Sequence, residues 1–240
     1  MSSLFALSLL LAIGVAAASA STRVIGHSVR GKAIVAQVLG AAAAPRKVLV
    51  VGCIHGNECA GRAIVSALKR APVPTGVQLW LVSTMNPDGA AAETRQNADG
   101  VDLNRNFPYL WRPVAGATYY SGPRPLSEPE TRAAVHLIAG VKPAVTIWYH
   151  QHEDLVDMSG GGDHGVARRY AELSRMRATC LAFLPGTASD WSNHALPGSS
   201  SFVVELPAGP VGHSALAHHL YALEEIERGQ RSGSRTSCAA

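Results

Sequence analysis

Two histidines and two glutamates stand where they could bind a metal ion or move protons. His55 and Glu58 lie three residues apart in the sequence His-Gly-Asn-Glu, His150 follows the apolar run 144–149, and Glu205 follows the run 201–204. A catalytic zinc ion usually has three protein ligands and one open position for water or substrate. Two neutral imidazoles and one carboxylate would leave the ion net positive, which favours ionisation of a water molecule and polarises a carbonyl group.

The meaning of the His-Gly-Asn-Glu spacing depends on the element that precedes it. Residues 48–52, Val-Leu-Val-Val-Gly, form a continuous apolar run that is typical of a buried parallel strand. A helix is predicted over residues 57–70, and Gly56 would permit a tight turn between strand and helix. This placement predicts that the side chains of His55 and Glu58 face one ion.

The rest of the chain predicts further strands that alternate with helices. Ser127 and Glu130 are spaced as a capping box that would open one of the helices. The pattern indicates a hairpin over 23–39, strands over 77–82, 144–149 and 201–204, a turn at 86–89, and helices over 127–139, 166–177 and 213–228.

This alternation predicts an α/β fold with a mixed, mostly parallel central sheet flanked by helices on both faces. Ligands of such sheets bind beyond the carboxyl ends of the strands. We therefore expect His55, Glu58, His150 and Glu205 to meet at one edge of the sheet.

Three segments, in this order, resemble the signatures of the zinc metallocarboxypeptidase (carboxypeptidase A-like) family. They read Gly-Cys-Ile-His-Gly-Asn-Glu at residues 52–58, Gly-Val-Asp-Leu-Asn-Arg-Asn-Phe at 100–107, and Val-Val-Glu-Leu at 203–206. Asn-Pro-Asp-Gly at 86–89 commonly precedes the second signature in the family. The stretch that begins at Arg95 is most similar to the bacterial murein peptide amidase branch, so a carboxypeptidase-like fold is expected.

The resemblance implies a metal centre and two catalytic residues. His55, Glu58 and His150 would bind one zinc ion per chain. Glu205 would be the general base that takes a proton from the attacking water and passes it to the leaving amine. Arg95 would polarise the scissile carbonyl and stabilise the oxyanion, as a fixed cation does well in a site that excludes water.

The resemblance also implies a substrate-binding set. Asn104 and Arg105 would bind a carboxylate of the substrate, because the guanidinium fork suits that geometry. Ser189 directly precedes the pair Asp190–Trp191 and would lie at the floor of the side-chain pocket. A serine there argues against a preference for large apolar or basic side chains.

The chain departs from the family pattern at a tyrosine. The family's carboxypeptidases carry a tyrosine some eight residues before the Asp-Trp pair, but no tyrosine lies between Ala171 and Asp190. The tyrosine that covers a bound peptide is therefore absent or supplied by another segment.

A second histidine competes for the third ligand position. His152 lies two residues beyond His150, and both would point to the same side of an extended strand. The family alignment places the ligand directly after the strand, which favours His150.

The ends of the chain and its cysteines indicate an exported protein. Residues 4–18 are apolar and uncharged and precede Ala18-Ser19-Ala20, which predicts a signal peptide over 1–20, although a buried first helix would have a similar composition. A catalytic domain over 21–228 and a flexible tail over 229–240 would follow, in a secreted or periplasmic protein. Four cysteines allow three disulfide pairings, which the sequence leaves open.

Composition excludes several other classes of protein. The formal net charge of +4 comes from scattered residues and does not indicate nucleic-acid binding. No segment after residue 20 is long and apolar enough to span a membrane. At 240 residues the chain is expected to form one domain, and a monomer is expected.

Three functions are consistent with these observations. The first is hydrolysis of a peptide or amide bond next to a free carboxylate, with cell-wall (murein) peptides as substrate. The second is a general secreted metallocarboxypeptidase that removes C-terminal residues from proteins. The third is a non-catalytic binding module that retains the fold, which loss of Glu205 or of a ligand would signal, and none of these residues is lost.

Overall fold

The structure of the protein is a computed structural model that describes residues 20–229 and Cys238. Apart from Ala20 the predicted signal peptide lies outside the described residues, as does the predicted tail apart from Gly229 and Cys238. The strands are β1 Ala20–His27, β2 Ala33–Gly40, β3 Arg46–Val51, β4 Val77–Val82, β5 Val145–Gln151, β6 Leu155–Asp157, β7 Arg177–Thr179 and β8 Ser200–Leu206. The α-helices are α1 Gly61–Leu68, α2 Pro87–Ala92, α3 Pro129–Val141, α4 His164–Ser174, α5 Ala188–Ala195 and α6 His213–Glu227.

All eight strands belong to one sheet, in the order β1-β2-β4-β3-β5-β8-β6-β7. The four central strands, β4, β3, β5 and β8, are mutually parallel. Strands β1 and β2 pair antiparallel at one edge, and β6 pairs antiparallel with β8 near the other. The predicted mixed, mostly parallel sheet is confirmed.

Helices cover both faces of the sheet because the central strands are apolar on both faces. In β3, Val48 and Val50 pack in one core together with α1, α4 and α6. Leu49 and Val51 point the other way, into a second core with α3 and α5. Two hydrophobic layers therefore hold the sheet between them.

The chain changes direction between β3 and β5. It first adds β4 on one side of β3 and then returns to add β5 on the other. The connections that leave β3 and β5 diverge at this point and open a crevice at the carboxyl edge. His55 follows β3 and His150 lies near the end of β5, so the fold brings both residues to this crevice.

The predicted turn at 86–89 and the predicted start of the helix at Ser127 differ from the structure. Residues 86–89 do not form an isolated turn, because Asn86 caps α2 by accepting a hydrogen bond from the backbone N–H of Gly89. The Ser127 capping box is wrong, since Glu128 is the N-cap of α3 and makes no capping bond. Its carboxylate instead accepts hydrogen bonds from Asn97 and Ser127, which compete with the cap.

The sequence did not predict β6, β7 or α5, and α1 begins at Gly61 rather than at residue 57. Strands β6 and β7 have three residues each, too few for an alternating pattern to be recognised. The later start of α1 follows from a turn in which the N–H of Glu58 donates to the carbonyl oxygen of His55.

Disulfides join Cys53 to Cys59 and Cys180 to Cys238. The first closes the segment between β3 and α1, and the second attaches Cys238 to the segment that follows β7. No helix among the described residues is long and apolar enough to cross a membrane.

A buried polar chain crosses the core between β5, α4 and α6. The hydroxyl groups of Tyr149 and Tyr170 are 2.6 Å apart, and the Tyr170 hydroxyl is 2.7 Å from Nδ1 of His219. Burial lowers the pKa of His219 to about 4, helped by the charge of His218. His219 is therefore neutral in the folded protein at neutral pH.

Acid should destabilise the fold through His219. The folded pKa of about 4 is below the unperturbed value of 6.5, so between these values the unfolded chain binds more protons. Stability from this group is present above pH 6.5 and is lost as the pH falls toward 4, by up to about 3 kcal/mol. Urea unfolding at about pH 7.5 and about pH 4.5 measures the loss.

The variant His219→Gln should lose less stability on acidification than the parent. His213→Gln is the matched control, because His213 is exposed at the start of the same helix and should leave the acid loss unchanged. An equal loss in the parent and in His219→Gln would show that other groups cause the acid sensitivity.

Candidate active site

The side chains of His55, Glu58 and His150 place their possible metal-binding atoms close together, and we call these three residues the donor set. Nδ1 of His55 is 2.9 Å from Oε2 of Glu58, and Nδ1 of His150 is 3.2 Å from the same oxygen. All three ligand atoms lie within 4.8 Å of one another, and all three residues are buried. Tetrahedral zinc with bonds of about 2.1 Å separates its ligand atoms by about 3.3 Å. The donor set therefore fits one zinc ion.

The segment between β3 and α1 is shaped by close backbone packing. A Cβ atom on Gly56 would lie 2.0 Å from the backbone of Gly89, so glycine is needed because of the approach of α2 rather than for a turn. The Cys53–Cys59 disulfide closes the same segment around His55 and Glu58. These constraints hold the motif in place at the end of β3.

Asp102 fixes the orientation of His55. Oδ1 of Asp102 is 2.9 Å from Nε2 of His55, which directs Nδ1 toward Glu58. Burial opposes charge on both groups. The carboxylate of Asp102 nevertheless raises the pKa of His55, while the imidazole holds the pKa of Asp102 well below its usual range.

Arg95 is held by the same carboxylates. Its Nε donates to Oδ2 of Asp102 at 2.9 Å, and its Nη1 donates to Oε1 of Glu58 at 2.6 Å. Burial raises the pKa of Glu58, but the stronger combined effect of hydrogen bonds with His150 and His55 lowers it far below its usual range. The guanidinium is thus a fixed cation beside the donor set.

Glu205 lies on β8 directly opposite His150 of β5 in the register of the sheet. Burial raises the pKa of Glu205, and the charge of His150 acts in the opposite direction. Its Oε2 is buried and has no hydrogen-bond partner in the part of the chain that the structure describes. A carboxylate oxygen of this kind is available to a water molecule or a substrate group.

Asn104 and Arg105 lie on a short 3-10 helix, Leu103–Arg105, that Asp102 caps. The side-chain oxygen of Asn104 accepts from the backbone N–H of Ala188 at 2.8 Å, which leaves its amide N–H groups for a ligand. Nη1 of Arg105 donates to the carbonyl oxygen of Asn104 at 2.6 Å. The amide of Asn104 and the guanidinium of Arg105 therefore lie side by side as hydrogen-bond donors.

One cavity of about 470 Å³ contains all eight side chains that the sequence singled out. Its wall includes His55, Glu58, Arg95, Asn104, Arg105, His150, Ser189 and Glu205. Ser189 lies in the first turn of α5 and is buried. The cavity thus joins the donor set, a free carboxylate, two arginines and a polar wall.

His152 also lines the cavity but takes no part in the donor set. Strand β5 ends at Gln151, so the alternation of side chains does not continue to His152, which is exposed. The geometry favours His150 as the third ligand.

Two residues of the site were not singled out from the sequence. Asp102 lies inside the second signature, and the need of a ligating histidine for an acceptor on its other nitrogen is the signal that could have identified it. Tyr119 also lines the cavity, with its ring 5.1 Å from Cζ of Arg95 and 5.6 Å from Cζ of Arg105. No local pattern marks Tyr119, because its contacts are with residues distant in sequence.

Known proteins are similar in sequence to part of the chain. Murein peptide amidase A of Escherichia coli K12 is 35% identical over 115 residues, which are 42% of this chain and 48% of that protein. The carboxypeptidase N catalytic chain of Homo sapiens is 34% identical over 124 residues, which are 37% of this chain and 27% of that protein. The chain thus spans about half the length, or less, of these curated relatives.

Solved structures share the fold over most of the chain. The murein-tripeptide amidase of Escherichia coli O157 superposes with a TM-score of 0.70 at 25% identity, covering 86% of this chain and 91% of that one. Carboxypeptidase A of Helicoverpa armigera superposes with a TM-score of 0.75 at 18% identity, covering 87% and 68%.

The family comparison agrees with the geometry of the site. Residues 16–176, well over half of the chain, match the family described as zinc carboxypeptidase, peptidase M14. That match includes His55, Glu58, Arg95, Asn104, Arg105 and His150. The protein belongs to the zinc carboxypeptidase family.

Proposed function

We propose that the protein is an exported amidase that hydrolyses a peptide or amide bond next to a free carboxylate in murein peptides. The observation that carries this proposal is the joint presence, in one cavity, of the His55–Glu58–His150 donor set, the unpaired Glu205 oxygen and the Arg105 guanidinium. These parts suffice for metal-assisted hydrolysis of a substrate that is held by its carboxylate.

Substrate binding in this proposal rests on Asn104 and Arg105. The free amide N–H groups of Asn104 and the guanidinium of Arg105 donate to the substrate carboxylate, and a charge-assisted bond of this kind is stronger than a neutral one. The scissile carbonyl then lies toward Arg95, whose second terminal nitrogen has no protein partner among the described residues. Binding thus orients the bond to be cut.

The chemical step uses Glu205 as a base and then as an acid. Its carboxylate takes a proton from the attacking water and delivers that proton to the leaving amine, so that one water is consumed and a carboxylic acid and an amine are released. His55, Glu58 and His150 would hold a zinc ion, which would supply Lewis-acid activation of the water and of the carbonyl. Arg95 stabilises the negative charge that develops on the carbonyl oxygen.

Three observations support a murein peptide as substrate and an exported location. The murein peptide amidases are among the relatives, at 35% identity over part of the chain. The cavity wall carries Ser189 where a pocket for large apolar or basic side chains would have an apolar or acidic residue. The disulfides fit an oxidising compartment and the predicted signal peptide.

The substrate proposal predicts selective cleavage of cell-wall peptides. Incubation with muropeptides should yield two products whose masses sum to that of the substrate plus one water. Ordinary peptides with free C-termini should react more slowly, and amidated muropeptides should resist cleavage because the carboxylate is lost. Mass spectrometry of the products tests this. Faster cleavage of ordinary peptides would favour a general carboxypeptidase, and no cleavage of either would favour a binding module.

The metal site predicts one zinc ion per chain, lost with His55. His55→Ala should abolish both metal and activity, because two remaining ligands hold the ion poorly. His152→Ala is the matched control and should keep zinc, since His152 lies outside the donor set. Elemental analysis of the purified variants gives the metal content. Full zinc occupancy with normal turnover in His55→Ala would rule out the metal site, and loss of zinc in His152→Ala would make His152 rather than His150 the third ligand.

The role of Glu205 predicts a separation of binding from chemistry. Glu205→Gln keeps the shape of the side chain and removes its basicity, so zinc and substrate should bind while kcat falls on the order of 10²–10⁴-fold. Glu153→Gln is the matched control, because Glu153 lines the same cavity and is exposed. Steady-state kinetics with metal analysis provides the test, and a normal kcat in Glu205→Gln would remove Glu205 from the mechanism.

A further inference from the structure

Tyr119 makes contacts that the fold does not require. Its side chain is 49% exposed, so it contributes little to either core. Its ring instead lies at cation–π distance from both arginines of the cavity, 5.1 Å from Cζ of Arg95 and 5.6 Å from Cζ of Arg105. Among the described residues that line the cavity, Tyr119 is the only tyrosine, phenylalanine or tryptophan.

The two arginines differ in how firmly they are held. Arg95 is fixed by two carboxylates, those of Asp102 and Glu58. Arg105 has one hydrogen bond among the described residues, to the carbonyl oxygen of Asn104, although its guanidinium offers five N–H donors. The charge of Arg95 repels that of Arg105, while the carboxylate of Asp102 attracts it. Arg105 is buried, but fewer hydrogen bonds hold its guanidinium than hold that of Arg95, so a ring contact can help to fix its direction.

Hydrogen bonds hold the backbone on both sides of Tyr119. Nε2 of Gln96 donates to the carbonyl oxygens of Ala117 and Thr118, each at 2.8 Å. The N–H of Asp102 donates to the carbonyl oxygen of Tyr120, also at 2.8 Å. The segment that carries Tyr119 is thus attached to the segment that carries both arginines.

We propose that Tyr119 is a positioning residue whose ring holds the Arg105 guanidinium toward the carboxylate of the substrate. The aromatic face attracts both cations at once and so offsets their mutual repulsion. This inference rests on the proposed function, in which Arg105 binds that carboxylate. It also places an aromatic residue on the substrate side of the cavity. That residue belongs to a segment far in sequence from Asp190–Trp191, the pair before which the family's carboxypeptidases carry a tyrosine.

The experiment compares Tyr119→Leu, Tyr119→Phe and the control Tyr120→Leu. Tyr120 is the next residue along the chain and does not line the cavity. Tyr119→Leu should raise the KM for a free-carboxylate peptide roughly 2- to 30-fold, with a smaller change in kcat and unchanged zinc content. Tyr119→Phe keeps the ring and should restore the parental KM, and Tyr120→Leu should match the parent.

A double-mutant cycle with Arg105→Ala tests whether Tyr119 acts through Arg105. If it does, Tyr119→Leu should cause no further rise in KM once Arg105 has been truncated. Fully additive effects would overturn the proposal. The same holds if Tyr119→Phe is as impaired as Tyr119→Leu, or if amidated and free-carboxylate substrates are affected equally.

Binding of an N-acetylated amino acid and of its amide, measured by calorimetric titration, separates this inference from the proposed hydrolysis. A parent protein that cleaves nothing but binds the acid, less tightly in Tyr119→Leu, would disprove the hydrolysis and support the role of Tyr119. A parent protein that binds the acid no better than the amide would overturn both the carboxylate site and the role of Tyr119.

Discussion

The carboxylate of Asp102 connects three parts of the site. One oxygen accepts from His55 and from the backbone N–H of Asn104, and the other accepts from Arg95. The side chain is fully buried, so these bonds are formed in a region from which water is excluded. A single buried anion thus orients His55, fixes the Arg95 guanidinium and caps the turn that carries Asn104 and Arg105.

The parallel strands of the sheet position the other residues of the site. Parallel pairing of β3, β5 and β8 brings the ends of these strands to one edge, and the change of chain direction between β3 and β5 opens the space between them. His150 and Glu205 are register partners on adjacent strands. His150 and Glu205 are therefore held by strands of the core, whereas Asp102 holds His55, Arg95 and the turn that carries Asn104.

Sequence patterns predicted the site residues whose positions are determined by strands of the hydrophobic core. The apolar runs of β3, β5 and β8 are long enough to identify, and the residues at their ends follow directly. The predicted roles of Arg95, Asn104 and Arg105 depended on the family resemblance, because isolated arginines carry no pattern. The predicted Ser127 cap was wrong and the contacts of Tyr119 were missed, because a hydrogen bond from Asn97 to Glu128 and ring contacts with two arginines join segments that are distant in sequence.

The Cys53–Cys59 disulfide affects which atoms near His55 and Glu58 can bind a metal ion. Before oxidation, one seven-residue segment would offer two thiolates beside His55 and Glu58, and thiolates are strong ligands for soft and borderline metal ions. Oxidation removes both competitors and leaves the nitrogen and oxygen donors alone. The disulfide therefore leaves nitrogen and oxygen atoms as the possible metal ligands of this segment.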